Sequence, residues 1–255
     1  LWSCSRKVQD EDKPEEDKVI KEYNSLRDDL NKKYEEEQAT GTISDKQKAN
    51  FVDISEVNKM IQTMGEEIKA KGIKKKEDLS AKDKALLQVY IIFNIYTRIP
   101  LRNDISGMEV INKRAYNKLS ETEKKEKNYL VINKNKMFFV LNKFKTSSKY
   151  EELKIDIPKD LEKLLRIYIR INGMGVLFKS STGKALSRNA LSQLLIKTSK
   201  KYMGKSISST MLRKIYLSSK YSKVKEEMAL MGHSVGMQQA VYVKKPQEEE
   251  ESSDK

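Results

Sequence analysis

The longest apolar block in the chain, Leu86-Leu87-Gln88-Val89-Tyr90-Ile91-Ile92-Phe93, constrains the fold more than any other feature. It is helix-length and apolar on nearly every side, so it has to be surrounded, and the rest of the chain must supply the elements that cover it. It is too short, and too closely flanked by charge, to span a bilayer. No membrane partner is therefore expected. The start is charged almost at once (Arg6, Lys7, Asp10), which reads against a secretion signal, and the single cysteine makes a reducing intracellular setting the simplest reading.

Upstream of that block, Val19, Ile20, Tyr23, Leu26 and Leu30 recur at three- and four-residue spacing, which predicts one amphipathic helix within residues 5–40. Thr40-Gly41-Thr42 is a break. A second helix is expected from Ser44 to about Lys71, ended by Gly72, with the run Lys74-Lys75-Lys76 as a linker or a DNA-facing loop. Ser80, three residues before Asp83, predicts the cap of the apolar helix, which should run to about Thr97, and Pro100 enforces a break before a short helix near Arg102.

Beyond a polar stretch at 115–128, read as surface loop, the apolar period shortens. Residues 129–132, 137–141 and 153–157 predict three short antiparallel strands. Helices follow after Pro158, after Ser187 to about Tyr202, at 207–218, at 221–231 and at 235–243. The acidic tail from Gln247 lacks apolar residues and is expected to be disordered. The fold class is thus mainly α with a small three-stranded antiparallel sheet (α+β). The division expected is a partial helical region at 1–79, a main domain at 80–245 and a tail at 246–255.

One cysteine (Cys4) and one histidine (His233) exclude a disulfide framework and a Cys/His zinc site. The carboxylates show no paired arrangement suited to magnesium. Neither a cofactor nor a metal is expected. The net charge of +14 is uneven. Residues 1–50 hold 10 basic and 13 acidic residues, so the remainder carries 51 − 10 = 41 basic against 37 − 13 = 24 acidic, a net of +17. Such an excess suits a nucleic-acid partner. A lysine-rich codon bias gives the same excess, and charge alone does not separate the two.

The C-terminal quarter carries the chemistry. It reads Leu212-Arg213-Lys214, then Leu230-Met231-Gly232-His233-Ser234, then Tyr242, nine residues after the histidine. With Thr97-Arg98-Ile99-Pro100-Leu101-Arg102 upstream and Asn142-Lys143-Phe144-Lys145-Thr146 between two strands, this resembles the catalytic domain of the tyrosine recombinase (integrase) family. The resemblance covers roughly residues 80–245. It implies a DNA strand-breaking and rejoining enzyme in which Arg102 and Arg213 clamp the phosphate, and Tyr242 forms a 3′-phosphotyrosyl link. Lys145, with Lys143 in reserve, protonates the leaving 5′ oxygen, and His233 assists. It also implies double-stranded DNA as partner and a homo-tetramer on that DNA. A viral or mobile-element source, acting in a host nucleus or a cytoplasmic viral factory, is the expected setting.

Two departures stand out. Thr210 occupies the position, three before Arg213, where the family usually has histidine; it can donate a hydrogen bond to phosphate but is no acid or base near neutral pH. The acidic residue common three after the first arginine is replaced by Ile105, with Asp104 beside it. Type IB topoisomerases share this chemistry and also lack that histidine. A topoisomerase-like relaxing enzyme and an inactive DNA-binding protein of the same fold therefore stand as alternatives. Lys184 and Arg188, near the start of the Ser187 helix, read equally well as DNA-phosphate contacts and as an ordinary exposed helix start.

Overall fold

The computed structural model describes residues 13–39, 45–76, 78–134, 136–144, 147 and 152–230, with backbone alone at 13–17, 33–39, 45–46 and 223–230. The chain divides into two units, Leu1–Ala49 and Asn50–Lys255. In the first, α1 (Lys13–Ala39) is the expected amphipathic helix, and its stripe of Val19, Ile20, Tyr23, Leu26 and Leu30 is exposed. The break at 40–42 lies outside the described residues.

The single helix expected from Ser44 to Lys71 is two. After α2 (Asp45–Asn50), the chain extends through Phe51-Val52-Asp53 and re-enters helix as α3 (Ile54–Ala70). Asp53 causes the break, because its carboxylate accepts from Ser55 N at 2.7 Å and caps a new helix. Gly72, at φ 63, lets the chain leave α3 in the left-handed region. The lysine run then sits on a 3-10 turn (Ile73–Lys75) pinned by the buried Ile73 rather than on a free linker.

The apolar block becomes α4 (Ala81–Tyr96), capped by Ser80, whose Oγ accepts from Asp83 N at 3.1 Å. It is the central helix. Ile91, Ile92, Phe93 and Ile95 are fully buried within one continuous apolar core. Around it pack α3, α7 (Lys159–Asn172, opened by Pro158), α8 (Arg188–Met203, capped by Ser187) and α9 (Ser209–Leu230). Two helices were expected over 207–231, and one is found. The segment Leu217-Ser218-Ser219-Lys220 holds neither glycine nor proline, so nothing forces the helix to stop there.

The sheet corrects the sequence reading most. It is five-stranded and mixed, in the order β4-β3-β2-β1-β5, rather than three-stranded and antiparallel. The expected strands are present as β2 (Tyr129–Asn133), β3 (Lys136–Leu141) and β4 (Leu153–Asp156), paired antiparallel. The additions are β1 (Glu109–Asn112), parallel to β2, and the two-residue β5 (Gly175–Val176), antiparallel to β1. The stretch read as surface loop at 115–128 holds two short helices, α5 (Lys113–Tyr116) and α6 (Glu121–Glu126), which carry the parallel crossover.

Both faces of β2 and β3 are covered, which accounts for their nearly unbroken apolar runs. Leu130, Met137, Phe139 and Leu141 point into the main core. Their alternates Tyr129, Val131, Phe138 and Val140 form a second cluster with Tyr116 of α5.

Candidate functional site

Arg98 and Arg102 are separated by Pro100, and the break gives them different surroundings. Arg98 lies two residues past the end of α4 and folds back onto it. Its Nη1 donates to the carbonyl and Oδ1 of Asn94 at 3.1 and 2.9 Å, and its Nε to Asp160 at 2.7 Å. Arg102 lies past the proline, ahead of a 3-10 turn at Asn103–Ile105, and its guanidinium forms no hydrogen bond among the described residues. The backbone beneath it is fixed. Tyr96 is 1% exposed, and its hydroxyl donates to the Arg102 carbonyl at 3.1 Å. Burial and the nearby Asp104 push the Tyr96 phenol up, with Arg213 opposing, so the hydroxyl stays a donor. Asn103 Nδ2 donates onward to Ser192 Oγ at 2.9 Å and the Arg188 carbonyl at 3.2 Å, tying this loop to the start of α8.

Two helix starts face the loop. Ser187 caps α8 by accepting from Ala190 N at 3.1 Å, which puts Arg188 at the first helical position. The α8–α9 connection is set from inside: the fully buried Ser199 accepts from Ile207 N at 2.9 Å, and Ser208 Oγ accepts from Met211 N at 3.3 Å at the start of α9. Met211, Leu212 and Ile215 are buried in the core, leaving Thr210 and Arg213, one turn apart, on the other face.

These pieces enclose a cleft of about 380 Å³ lined by Arg102, Asn103, Asp104, Arg188, Ser209, Thr210 and Arg213. Three guanidiniums and the first turns of two helices converge there, and each of those features favours an anion. Arg213 Nε is buried and has no hydrogen-bond partner among the described residues. One acid opposes them. Asp104 is 6% exposed, and Arg188 Nη2 stands 3.3 Å from its Oδ1. Burial raises the Asp104 carboxyl above the usual carboxylate range, while Arg188, Arg102 and Arg213 pull it back. With Asp104 ionised the cleft carries three positive charges and one negative, a formal net of +2.

The Asn128 side chain holds the start of the turn after β3 beside this cleft. Asn128 is 7% exposed; its Oδ1 accepts from Asn142 N and Lys143 N at 2.9 and 2.8 Å, and its Nδ2 donates to the carbonyls of Asp104 and Lys143 at 2.9 and 3.0 Å. That clamp brings the backbone of Lys143 next to that of Asp104.

Of the residues singled out from sequence, Arg102, Thr210, Arg213 and Arg188 therefore share one cleft. Lys143 is exposed on the adjoining turn and does not line it. Lys184 is exposed in the loop before α8, where its carbonyl accepts from Ser180 N at 2.7 Å, and it does not line the cleft either. Lys145, His233 and Tyr242 lie outside the described residues. Sequence reasoning missed Tyr96, Asn103, Asn128 and Ser209 altogether. Nothing in their local sequence marks them: Asn128, for one, simply ends a polar stretch before Tyr129-Leu130-Val131.

A larger cavity of about 720 Å³ lies between α4, α7 and α8. Its central polar groups are already satisfied: Gln88 bonds Tyr168 Oη and both backbone groups of Lys179, and Lys179 Nζ donates to the Asn172 carbonyl. No chemistry converges there. Among the described residues no group of three His, Cys, Asp or Glu could hold a metal ion, and no helix is long and apolar enough to cross a membrane.

No protein-family profile and no curated protein matches the sequence. Among solved structures, the chain is similar to the XerH site-specific recombinase, described as bound to difH substrate in a pre-cleavage complex. The identity is 16% and the TM-score 0.38, over 72% of this chain and 47% of that one, so the match spans about half the length of the recombinase chain.

Proposed function

We propose that this chain is a tyrosine recombinase-type enzyme that binds a DNA phosphodiester in the arginine cleft and cleaves it with Tyr242. The observation that supports this reading best is the meeting of Arg102 and Arg213, 111 positions apart (213 − 102), with Thr210 and Arg188 at a single cleft.

The chemistry follows from charge. A phosphodiester resists attack because its oxygens are negative, and they become more so in the transition state. Planar, permanently charged guanidiniums bind those oxygens in pairs, and in a partly desolvated cleft they act most strongly where charge develops. Tyr242 gives up its phenolic proton to solvent and attacks phosphorus as the 5′ oxygen leaves, giving a 3′-phosphotyrosyl bond and a free 5′ hydroxyl once a proton is supplied to that oxygen. Lys145, or Lys143 on the turn clamped by Asn128, supplies that proton, and His233 assists at a phosphate oxygen. Another strand's hydroxyl then reverses the step. The bond energy is held in the covalent link, so no nucleotide is consumed. In this reading the biological reaction is site-specific recombination or integration for a virus or mobile element, by a homo-oligomer assembled on DNA.

Thr210 in the cleft wall is the warning sign for an inactive DNA-binding protein of the same fold, and it also suits the topoisomerase-like alternative, whose family lacks histidine there too. Supercoil relaxation without strand exchange between two duplexes would select the latter. The cleavage reading is tested with a nicked duplex that traps the covalent complex. The unmutated protein should form an adduct, and Tyr242→Phe should bind the same DNA without forming one. An unmutated protein that forms no adduct contradicts the enzyme reading.

A further inference from the structure

We propose that Arg188 is a third phosphate-binding guanidinium and that Asp104 is its internal stand-in for phosphate, holding Arg188 across the cleft until a DNA phosphate displaces it. The proposal rests on the reading of the cleft as a DNA-phosphate site.

Four observations carry it. First, the two partners are unequal in freedom. Asp104 is 6% exposed and its carbonyl is held by Asn128, whereas the Arg188 side chain is 62% exposed and anchored only through the start of α8. The carboxylate is the fixed member and the guanidinium the one that can turn. Second, their contact is a single one, Nη2 to Oδ1 at 3.3 Å, at the long end for a charge-assisted bond. A one-point, half-solvated pair is weak and easily exchanged. Third, the Asp104 carboxylate makes no other side-chain hydrogen bond among the described residues, so nothing but the Arg188 contact has to be broken when the guanidinium turns. Fourth, Arg102 and Arg213 remain beside Asp104 when Arg188 turns away, so the carboxylate is not left without a counter-charge.

A phosphodiester offers Arg188 two non-bridging oxygens in place of one carboxylate oxygen, a geometry that suits its fork. With one negative charge against the formal +2 of the cleft, it is still attracted. No covalent step is involved, because one anion replaces another on the same guanidinium. The alternative role for Arg188 is purely structural, neutralising Asp104. The two roles make opposite statements about what happens when Asp104 is removed.

The test is a double-mutant cycle on the intact chain, read as the affinity for a short uncleaved duplex and as competition by inorganic phosphate. Arg188→Ala should weaken duplex binding by about 10-fold. Arg188→Lys, which keeps the charge without the fork, should fall between. Asp104→Asn should tighten binding several-fold and should make inorganic phosphate a better competitor. The deciding comparison is Arg188→Ala in the Asp104→Asn background. An undiminished loss there supports the exchange, while a vanished loss means that Arg188 served only to neutralise Asp104 and overturns the proposal. Circular dichroism establishes that each variant is folded, and Asp104→Ser replaces Asp104→Asn should the amide not be accommodated. Adduct formation on the nicked duplex is scored separately. Loss of the adduct from the unmutated protein, with the cycle intact, would sink the cleavage reading and leave the exchange standing.

Discussion

Arg98 and Arg102 carry the same charge four positions apart, yet only one has an unfilled fork. Arg98 spends its donors on Asn94 and Asp160, so Arg98→Ala should lower stability by roughly 1–3 kcal/mol in urea unfolding and leave adduct formation per folded molecule unchanged. Arg102→Ala and Arg213→Ala should instead slow adduct formation by about 10²–10³-fold with little change in stability. Lysine at either site should restore only part of the rate, since it lacks the fork. Asp104 gives a pH signature. Its carboxyl is raised in the folded protein by burial, with Arg188 from α8, Arg213 from α9 and Arg102 from the loop opposing. The folded state therefore holds that proton more tightly than the unfolded chain does. The resulting stability is fully present below the unfolded carboxyl range and is lost as pH rises through the folded value. Melting curves over mildly acidic pH should show this loss in the unmutated protein and not in Asp104→Asn.

Among elements, the start of the turn after β3 is held beside Asp104 by four hydrogen bonds of the single side chain of Asn128. Asn128→Ala removes four hydrogen bonds shared among Asn142, Lys143 and Asp104, and should cost about 1–3 kcal/mol or more of stability. It should also slow cleavage by misplacing the turn lysine. A duplex with a 5′-bridging sulfur at the scissile phosphate has a leaving group that needs no proton and should recover most of that rate. No recovery would mean that the clamp acts on something other than proton delivery.

The elements legible in the sequence were those with long periods or explicit caps: α4 with Ser80, α8 with Ser187, α7 after Pro158 and the apolar strands β2 and β3. Strand β1 was not legible. Its four residues are too few to show alternation, and its pairing with β2 is settled by contacts some twenty residues away. The break before α3 was legible but unread, since Asp53 followed by Glu56 is a capping pattern. At the site, the arginines could be chosen by their neighbours, but Asp104 and Asn128 matter through burial, and nothing local in the chain announces burial of a polar residue.

At the scale of the molecule, the +17 charge of residues 51–255 and the anion-seeking cleft belong to one account. If six or more phosphates are contacted, duplex affinity should fall by on the order of 10³-fold between about 50 and 200 mM salt. Titrations at stepped ionic strength measure that slope, and a flat response would mean that the positive charge does not face DNA. Cleavage by Tyr242 would leave one diagnostic bond, which can be looked for directly. The adduct formed on the nicked duplex is digested with trypsin, and the DNA-linked peptide and the freed strand end are identified by mass spectrometry. The DNA should be joined through its 3′ phosphate to the peptide containing Tyr242, with a 5′ hydroxyl on the other fragment. A link through another residue, or through a 5′ phosphate, contradicts the account.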